Sequence, residues 1–332
     1  EIAQCLVGSE MCIRDRYMRV VFMGTPGFAV GTLKALLEAG HDVAAVVTQP
    51  DKPKGRGKEF LMTPVKAEAV KHDIPVFQPE RVRKNEEFLE ELKKLAPDVI
   101  VVVAFGQLLP VSVLTLPKYG CVNVHASLLP MYRGAAPLQW VIINGEKVSG
   151  VTTMQMDKGL DTGDMLLKEE VAIEPKETYE TYHDKLSVVG AQLLIKTLDG
   201  LEAGTITPVK QEGDTCYASM IDKSLGNLDF TRPAVELERL MRGLDPAPAA
   251  YSFLDGKLLK LFGADVVDSD KEYSAQECGI ITNITKNTFD ITTGAGVLRV
   301  NEVQLEGKKR MDAASFLRGC RLTEGTALKN SR

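Results

Sequence analysis

The β-branched run Asp98–Ala104, DVIVVVA, is the feature that most restricts how this chain can fold. A continuous apolar run of this length is typical of a strand buried on both faces of a parallel sheet. Strand and helix signals alternate around it. The predicted strands are Arg19–Met23, Val43–Val47, Cys121–Val124 and Val151–Met156, and the predicted helices are Phe28–Ala39, Glu86–Leu95 and Tyr179–Leu198. This alternation predicts an N-terminal α/β domain with a Rossmann-like, doubly wound, mostly parallel sheet.

The pattern changes after Gly200. Gly200–Tyr217 mixes glycine, proline, threonine and charged residues without periodicity, which indicates a linker. A predicted helix at Pro233–Gly243 is followed by short strands separated by turn residues, at Lys257–Phe262, Gly279–Ile284, Thr288–Thr292 and Val297–Val303. These strands predict a small, OB-like antiparallel β-barrel. We therefore expect a first domain at 18–205, a linker at 206–223 and the barrel at 224–332.

The first residues do not fit this plan. Met18 leads directly into the first predicted strand and looks like a natural start. Glu1–Tyr17 has a short apolar run and no small-residue cleavage site, so it does not read as a signal peptide. We expect residues 1–17 to be a non-native or disordered extension. Apolar runs are far shorter than a bilayer span, and we expect no membrane segment.

Several kinds of chemistry lack their sequence signatures. The turn after the first strand, Gly24-Thr25-Pro26-Gly27, carries neither a dinucleotide fingerprint nor a P-loop, which argues against a dehydrogenase. Six scattered cysteines without a C-x-x-C pair argue against a zinc site or a disulfide framework, and for a reducing cytoplasm. We expect no metal site, and the remaining chemistry is acid–base and electrostatic catalysis.

The segment Gly120–Pro130, GCVNVHASLLP, carries the first candidate site residues. Asn123 and His125 lie two apart at the end of a predicted strand, so both side chains share one face. Ligands of open α/β sheets bind at the carboxyl ends of strands, and an amide beside an imidazole can hold the oxyanion of an acyl-transfer intermediate. The alternative is a structural asparagine and a core histidine.

A second candidate segment is Asp157–Asp164, DKGLDTGD, whose composition predicts a loop. Asp161 follows His125 by 161 − 125 = 36 residues, across one predicted strand. A carboxylate beside an imidazole fixes its orientation and favours its charged form. Asp161 and Asp164 could instead cap the turn through Asx hydrogen bonds, and that alternative suits Asp164 better.

These motifs resemble those of the folate-dependent formyltransferases, and in particular the methionyl-tRNA formyltransferase family. The resemblance runs from about Met18 to about Leu322, nearly the whole chain. It is carried by three motifs, the stretch from Asn123 to Pro137 (NVHASLLPMYRGAAP), Met156–Met165 (MDKGLDTGDM) and Thr48–Lys58 (TQPDKPKGRGK). It departs from the family at Met131, where a basic residue is usual, and in Asp245-Pro246-Ala247-Pro248, which lacks a tryptophan.

The resemblance implies a function. The chain would transfer a formyl group from 10-formyltetrahydrofolate to the α-amino group of initiator methionyl-tRNA. The catalytic residues implied are Asn123, His125 and Asp161. The folate-binding residues implied are Phe105, Gly106, Gln107, Leu108, Ser127, Leu128, Leu129 and Pro130. The tRNA-binding residues implied are Lys54, Arg56 and Lys58. We expect a cytoplasmic monomer.

The net charge is −5, which counts mildly against a nucleic-acid partner. Local charge is different, because Pro50–Lys66 has five basic and two acidic residues and Lys308–Arg332 has seven basic and two acidic residues.

The residues leave other functions open. The alternatives are a folate formyltransferase acting on an amino sugar nucleotide or a purine precursor, a formyl-folate hydrolase, and a non-catalytic nucleotide-binding module with an RNA-binding barrel. The last would leave Asn123, His125 and Asp161 without a role.

Overall fold

The structure is a computed structural model that describes residues 18–54 and 59–331. The predicted extension 1–17 lies outside the described residues. The elements up to the long helix are β1 (Arg19–Gly24), α1 (Gly27–Glu38), β2 (Asp42–Val47), β3 (Lys52–Lys54), β4 (Glu59–Leu61), α2 (Pro64–Lys71), β5 (Val76–Phe77), α3 (Glu86–Leu95), β6 (Val99–Val103), α4 (Val111–Leu114), β7 (Cys121–His125), β8 (Arg133–Gly134), α5 (Pro137–Ile143), β9 (Val148–Gln155), β10 (Met165–Ala172) and α6 (Tyr179–Glu202).

The remaining elements belong to the C-terminal part of the chain. They are β11 (Tyr217–Ala218), a 3₁₀ turn (Lys223–Gly226), α7 (Ala234–Gly243), β12 (Ala250–Leu254), β13 (Lys257–Glu272), β14 (Ile281–Thr282), β15 (Phe289–Thr292), β16 (Ala295–Leu305), β17 (Met311–Asp312) and α8 (Ala313–Gly319).

The chain forms two compact units that are each discontinuous in sequence. The first unit contains the chain through His125 together with Val151–Glu169 and Ser187–Glu212. The second contains Ala126–Gly150, Glu170–Leu186 and Gly213–Arg332. The domain boundaries expected from the sequence are contiguous, and they stay a prediction.

The first unit is built on a mostly parallel sheet, which confirms the predicted fold class. Within the described residues its strand order is β10-β9-β7-β6-β1-β2-β5. β1 pairs in parallel with β2 and β6, and β6 pairs in parallel with β7. β9 runs antiparallel to β7. Because β1, β2, β6 and β7 point the same way, their carboxyl ends meet at one edge of the sheet.

Helices cover both faces of this sheet. On one face, Phe88 and Leu92 of α3 share a buried cluster with Ile100 of β6 and Cys121 of β7. On the opposite face α6 approaches closely, since a Cβ on Gly190 would lie 3.0 Å from the Val124 side chain. Side chains alternate along a strand, so Asn123 and His125 project to the same face as Cys121.

The second unit contains the antiparallel barrel predicted from the sequence. In the described part of the chain the strand order is β12-β13-β16-β15-β14, and β17 pairs with β16. The C-terminal segment joins the two edge strands. The amide of Lys329 donates to Phe253 O in β12 at 3.0 Å, and on the other side Ile281 N of β14 donates to Thr326 O at 2.8 Å. The sheet is therefore closed by the segment 326–329.

Two strands depart from the sequence-based expectation for the same physical reason. β13 continues to Glu272, ten residues beyond its predicted end at Phe262, and from Asp268 onward its side chains are exposed. β10 was not predicted, and only Leu166 among its side chains is buried. A strand with no buried face has no hydrophobic alternation, so its sequence carries no period-two signal.

We predict that the closing segment contributes to stability through Leu328, which is 7% exposed and belongs to the barrel's core cluster. Leu328→Ala should lower the free energy of unfolding by about 2–5 kcal/mol, because it removes buried methyl groups and leaves a cavity. Urea unfolding followed by circular dichroism measures the change. Lys329→Ala is the matched control, because the Lys329 side chain is exposed. Equal unfolding midpoints for the two variants would contradict the closing role.

Candidate functional site

The loops at the carboxyl edge of the first sheet are joined by hydrogen bonds. Thr25, after β1, donates from Oγ1 to Phe105 O at 3.3 Å, and Gln49, after β2, donates from Nε2 to the same carbonyl at 3.1 Å. Phe105 follows β6. Three successive strand ends are therefore fixed relative to one another beside the end of β7.

Asn123 and His125 lie at this edge as predicted from their spacing. They are 8% and 6% exposed. β7 is held on both sides, because Asn123 pairs with Val102 of β6 and with Met154 of β9. The Asn123 side-chain amide makes no hydrogen bond to another described residue, so it can donate to a bound group.

The structure brings Asp161 to His125. The distance from His125 Nδ1 to Asp161 Oδ2 is 3.8 Å, and the Asp161 side chain is 14% exposed. This separation is an ion-pair contact when the imidazole is protonated, and it is longer than a hydrogen bond. A nearly buried carboxylate at this distance restricts the orientation of the imidazole ring.

The loop that carries Asp161 is a tight connection between β9 and β10. Gln155 N donates to Asp164 O at 2.8 Å and closes the loop. Gly163 is required inside it, because a Cβ there would lie 1.8 Å from Gln155 O. The turn is capped by Asp157, whose Oδ1 accepts from Gly159 N at 2.9 Å and from Thr162 Oγ1 at 2.8 Å.

Capping by Asp164 was an alternative that the sequence left open. The Asp164 side chain makes no hydrogen bond within the described residues. Asp157, the first aspartate of the motif, caps the turn instead. Its carboxylate accepts a hydrogen bond from the backbone amide two residues ahead, that of Gly159.

Gln211 contacts the same loop and was not found from the sequence. Its Nε2 donates to Asp161 O and to Gly163 O, both at 2.8 Å. The residue lies in Gly200–Tyr217, a segment without periodicity or motif. These two hydrogen bonds go to backbone carbonyls, which every residue carries, so they leave no pairing signal in the sequence.

The residues expected to flank the folate after β6 divide into buried and exposed groups. Phe105 is 2% exposed and packs in the core cluster. Gln107 accepts from Val82 N through Oε1 at 2.9 Å, so its side chain is engaged within the protein. Gly106 has a φ of +81°, and Leu108 is 59% exposed. Leu108 is thus the side chain of this group that faces solvent.

Ser127, Leu128, Leu129 and Pro130 belong to the second unit. Ser127 is fully buried and donates from Oγ to Met131 O at 2.7 Å. Leu129 is also fully buried, and Pro130 O accepts from Thr215 Oγ1 at 2.6 Å. Hydrogen bonds to Met131 and Thr215 therefore hold both ends of this segment.

Of the three residues expected to contact tRNA, only Lys54 belongs to a described element, the short strand β3. Arg56 and Lys58 lie outside the described residues, and Lys54 is described only as a backbone position of β3. β3 pairs antiparallel with β4, as shown by the register of Lys52 with Leu61. At the base of the hairpin Phe60 is 71% exposed.

Two other features, a metal-binding cluster and a membrane-spanning helix, are absent from the described residues. Among the described residues, no group of three or more histidine, cysteine, aspartate or glutamate side chains could hold a metal ion. No helix in 18–54 or 59–331 is long and apolar enough to cross a bilayer. The expectation of a metal-free enzyme stays a prediction.

The chain matches two protein-family models. Residues 18–198 match the model described as "Formyl transferase", and residues 220–321 match "Formyl transferase, C-terminal domain". A protein of Lachnospira eligens named methionyl-tRNA formyltransferase is 62% identical over 94% of this chain and 99% of its own length. A protein of the same name from Agathobacter rectalis is 56% identical over 93% of this chain and 99% of its own length.

Solved structures share the fold at low sequence identity. The N-formyltransferase of Helicobacter canadensis, in complex with folinic acid and dTDP-3-aminofucose, superimposes with a TM-score of 0.63. It is 19% identical, and the alignment covers 89% of this chain and 100% of that chain.

We predict that Gly163 keeps the Asp161 loop closed. In Gly163→Ala the added methyl collides with Gln155 O, so the Gln155–Asp164 hydrogen bond should open. We expect amide exchange at Gln155, measured by NMR, to become at least about tenfold faster, because local opening exposes the amide. Gly319→Ala is the control, since a Cβ there meets no atom within 4 Å. An unchanged exchange rate in Gly163→Ala would show that the loop tolerates the methyl group.

Proposed function

The chain belongs to the formyl transferase family, as its motifs predicted, and on this basis we propose that it formylates initiator methionyl-tRNA. The formyl donor is 10-formyltetrahydrofolate, and the acceptor is the α-amino group of the esterified methionine. The observation that carries the proposal is the meeting of Asn123, His125 and Asp161 at one strand end, in a chain whose relatives of nearly equal length bear this activity in their names.

The reaction is an acyl transfer between two nitrogens. The amino nitrogen attacks the formyl carbon, and the carbonyl oxygen becomes an oxyanion. Collapse of this intermediate breaks the bond to N10 of the folate, which receives a proton while the amino nitrogen loses one. The protein must therefore stabilise a developing negative charge and support proton transfer.

The three residues match these needs. Asn123 donates to the oxyanion through its side-chain amide, which has no partner among the described residues. Protonated His125 supplies a charged donor. Asp161, 3.8 Å from His125 Nδ1, holds the ring and assists proton transfer. Their low exposure strengthens each electrostatic contact, because little water remains to screen it.

Folate binding is proposed for the same residues that the sequence indicated. The Phe105 side chain packs in the core and the Gln107 side chain binds Val82 N. In this segment we therefore assign the folate contacts to the exposed Leu108 side chain and to the backbone around Gly106. A glycine at this point allows a flat ring to approach the main chain. The role of Ser127–Pro130 stays a prediction, as do the cytoplasmic location, the monomeric state and the domain boundaries at 205 and 224.

The acceptor is proposed to bind through two basic segments. These are Pro50–Lys66, which includes Lys54, Arg56 and Lys58, and Lys308–Arg332 at the end of the barrel. An acceptor stem is a rod of phosphates that ends in the aminoacyl group. Clustered lysine and arginine attract it even though the chain as a whole is slightly acidic.

A direct assay tests the function. Purified protein and 10-formyltetrahydrofolate are incubated with charged initiator tRNA, with an amino sugar nucleotide, with an amine precursor of purines, or with buffer alone. We expect formyl transfer to the charged tRNA. Preferential transfer to a small amine would show that this amine, and not tRNA, is the acceptor. Release of formate alone would indicate a hydrolase.

We predict that the three catalytic candidates act in turnover. Asn123→Ala and His125→Ala should each lower kcat about a hundredfold or more, the usual effect of losing one oxyanion donor. Asp161→Ala should lower kcat by a similar factor, because His125 loses the carboxylate that holds its ring and assists proton transfer. Folate binding, measured by calorimetry, should remain. His183→Ala is the matched control, because His183 pairs with Asp184 at 2.9 Å in the second unit. Any of the three residues whose alanine variant keeps a near-normal kcat would be excluded from the mechanism.

We predict that Arg56 contacts a tRNA phosphate. Arg56→Ala should raise the Kd for tRNA and flatten the slope of log affinity against log salt by about 1, because one counterion fewer is released. Folate binding should not change. Arg81→Ala, at an exposed position of the first unit, is the control. Identical affinities and salt slopes for Arg56→Ala and wild type would show that Arg56 does not contact tRNA.

A further inference from the structure

We propose that Gln211 is a positioning residue for Asp161, and that the segment Val209–Gln211 sets the location of the catalytic carboxylate. The proposal rests on the function above, because it takes Asp161 as part of the reaction. It concerns a residue outside the three proposed catalytic residues. Gln211 acts through the backbone of the loop that carries Asp161.

The first observation is the double hydrogen bond. Gln211 Nε2 lies 2.8 Å from Asp161 O and 2.8 Å from Gly163 O. A primary amide has two N–H groups, so both bonds form at once. The two carbonyls belong to residues on either side of Thr162. One side chain therefore fixes the two backbone positions that flank this turn.

The second observation is the backbone conformation of Asp161. Its φ is +53°, in the left-handed region that is unfavourable for a residue with a Cβ. Such a conformation persists where surrounding contacts hold it. Gln211 binds the carbonyl of this same residue. Removing the bond therefore releases Asp161 at the point where its side-chain direction is set.

The third observation is the anchoring of Gln211 itself. Val209 N donates to Met165 O, and Met165 N donates to Val209 O, both at 2.8 Å. Met165 is the first residue of β10. The segment 209–211 is thus attached to the sheet at one end of the loop and holds the loop two residues further along.

The inference separates positioning from general stabilisation. If Gln211 acts through Asp161, its loss matters only while Asp161 is present. If it only stabilises the fold, its loss lowers activity equally in both backgrounds. A double-mutant cycle measures this difference, because residues that act through one another give non-additive effects.

The test compares Gln211→Met with Gln211→Lys. Methionine keeps the length of the side chain but has no donor, and we expect kcat to fall about tenfold to a hundredfold with little change in KM, as for a displaced catalytic group. Lysine restores N–H donors and should recover most of the activity. In Asp161→Ala enzyme, adding Gln211→Met should have no further effect. Gln304→Met is the matched control, because Gln304 also donates to a backbone carbonyl, that of Lys308 at 3.0 Å, in the second unit.

A crystal structure of Gln211→Met supplies a readout that does not need turnover. We expect the Asp161 carboxylate to move away from His125 and the φ of Asp161 to leave the left-handed region. An unmoved carboxylate, an unchanged kcat, or equal losses in both backgrounds would overturn the positioning role. Wild-type protein that forms no formylmethionyl-tRNA would instead reject the proposed function, and the position of Asp161 in this variant would still decide the role of Gln211.

Discussion

The pairing of β7 between β6 and β9 is the interaction on which the candidate site depends. Parallel pairing with β6 brings the end of β7 to the same edge as the loops after β1 and β2. Antiparallel pairing with β9 sets His125 opposite Thr152 and Val122 opposite Gln155, so the Asp161 loop begins beside the start of β7 and extends back until Asp161 reaches His125. One ladder of backbone hydrogen bonds therefore determines the positions of both His125 and Asp161, two residues that are distant in sequence.

This dependence explains which parts could be predicted from the sequence. Val99–Val103 and Cys121–His125 are buried strands with strong apolar patterns, so the sheet and the shared face of Asn123 and His125 followed directly. That Asp161 belongs with His125 was implied by the resemblance to a known family, and its carboxylate lies 3.8 Å from His125 Nδ1. These inferences succeed because burial selects side chains, and the selection leaves a periodic record in the sequence.

The parts that could not be predicted depend on backbone atoms or on solvent. Gln211 binds two carbonyls, and any residue can offer a carbonyl, so no partner pattern marks it. Gln107 looked available for a ligand but binds Val82 N. The last five residues of β13 and four of the eight residues of β10 are exposed, and exposed positions carry no alternating hydrophobic pattern. The sequence is informative about cores and strand ends, and much less so about polar side chains that bind the main chain.

The closure of the barrel by the segment 326–329 has a consequence for protein synthesis. A ribosome makes this segment after every other strand of the barrel, and domains fold as units while the chain emerges. Until the segment emerges, β12 and β14 present unpaired edges that can pair with another nascent chain. The first unit needs nothing beyond Glu212 to complete its sheet. Ribosome stalling before Thr326 would therefore leave a folded first unit attached to an open, aggregation-prone barrel.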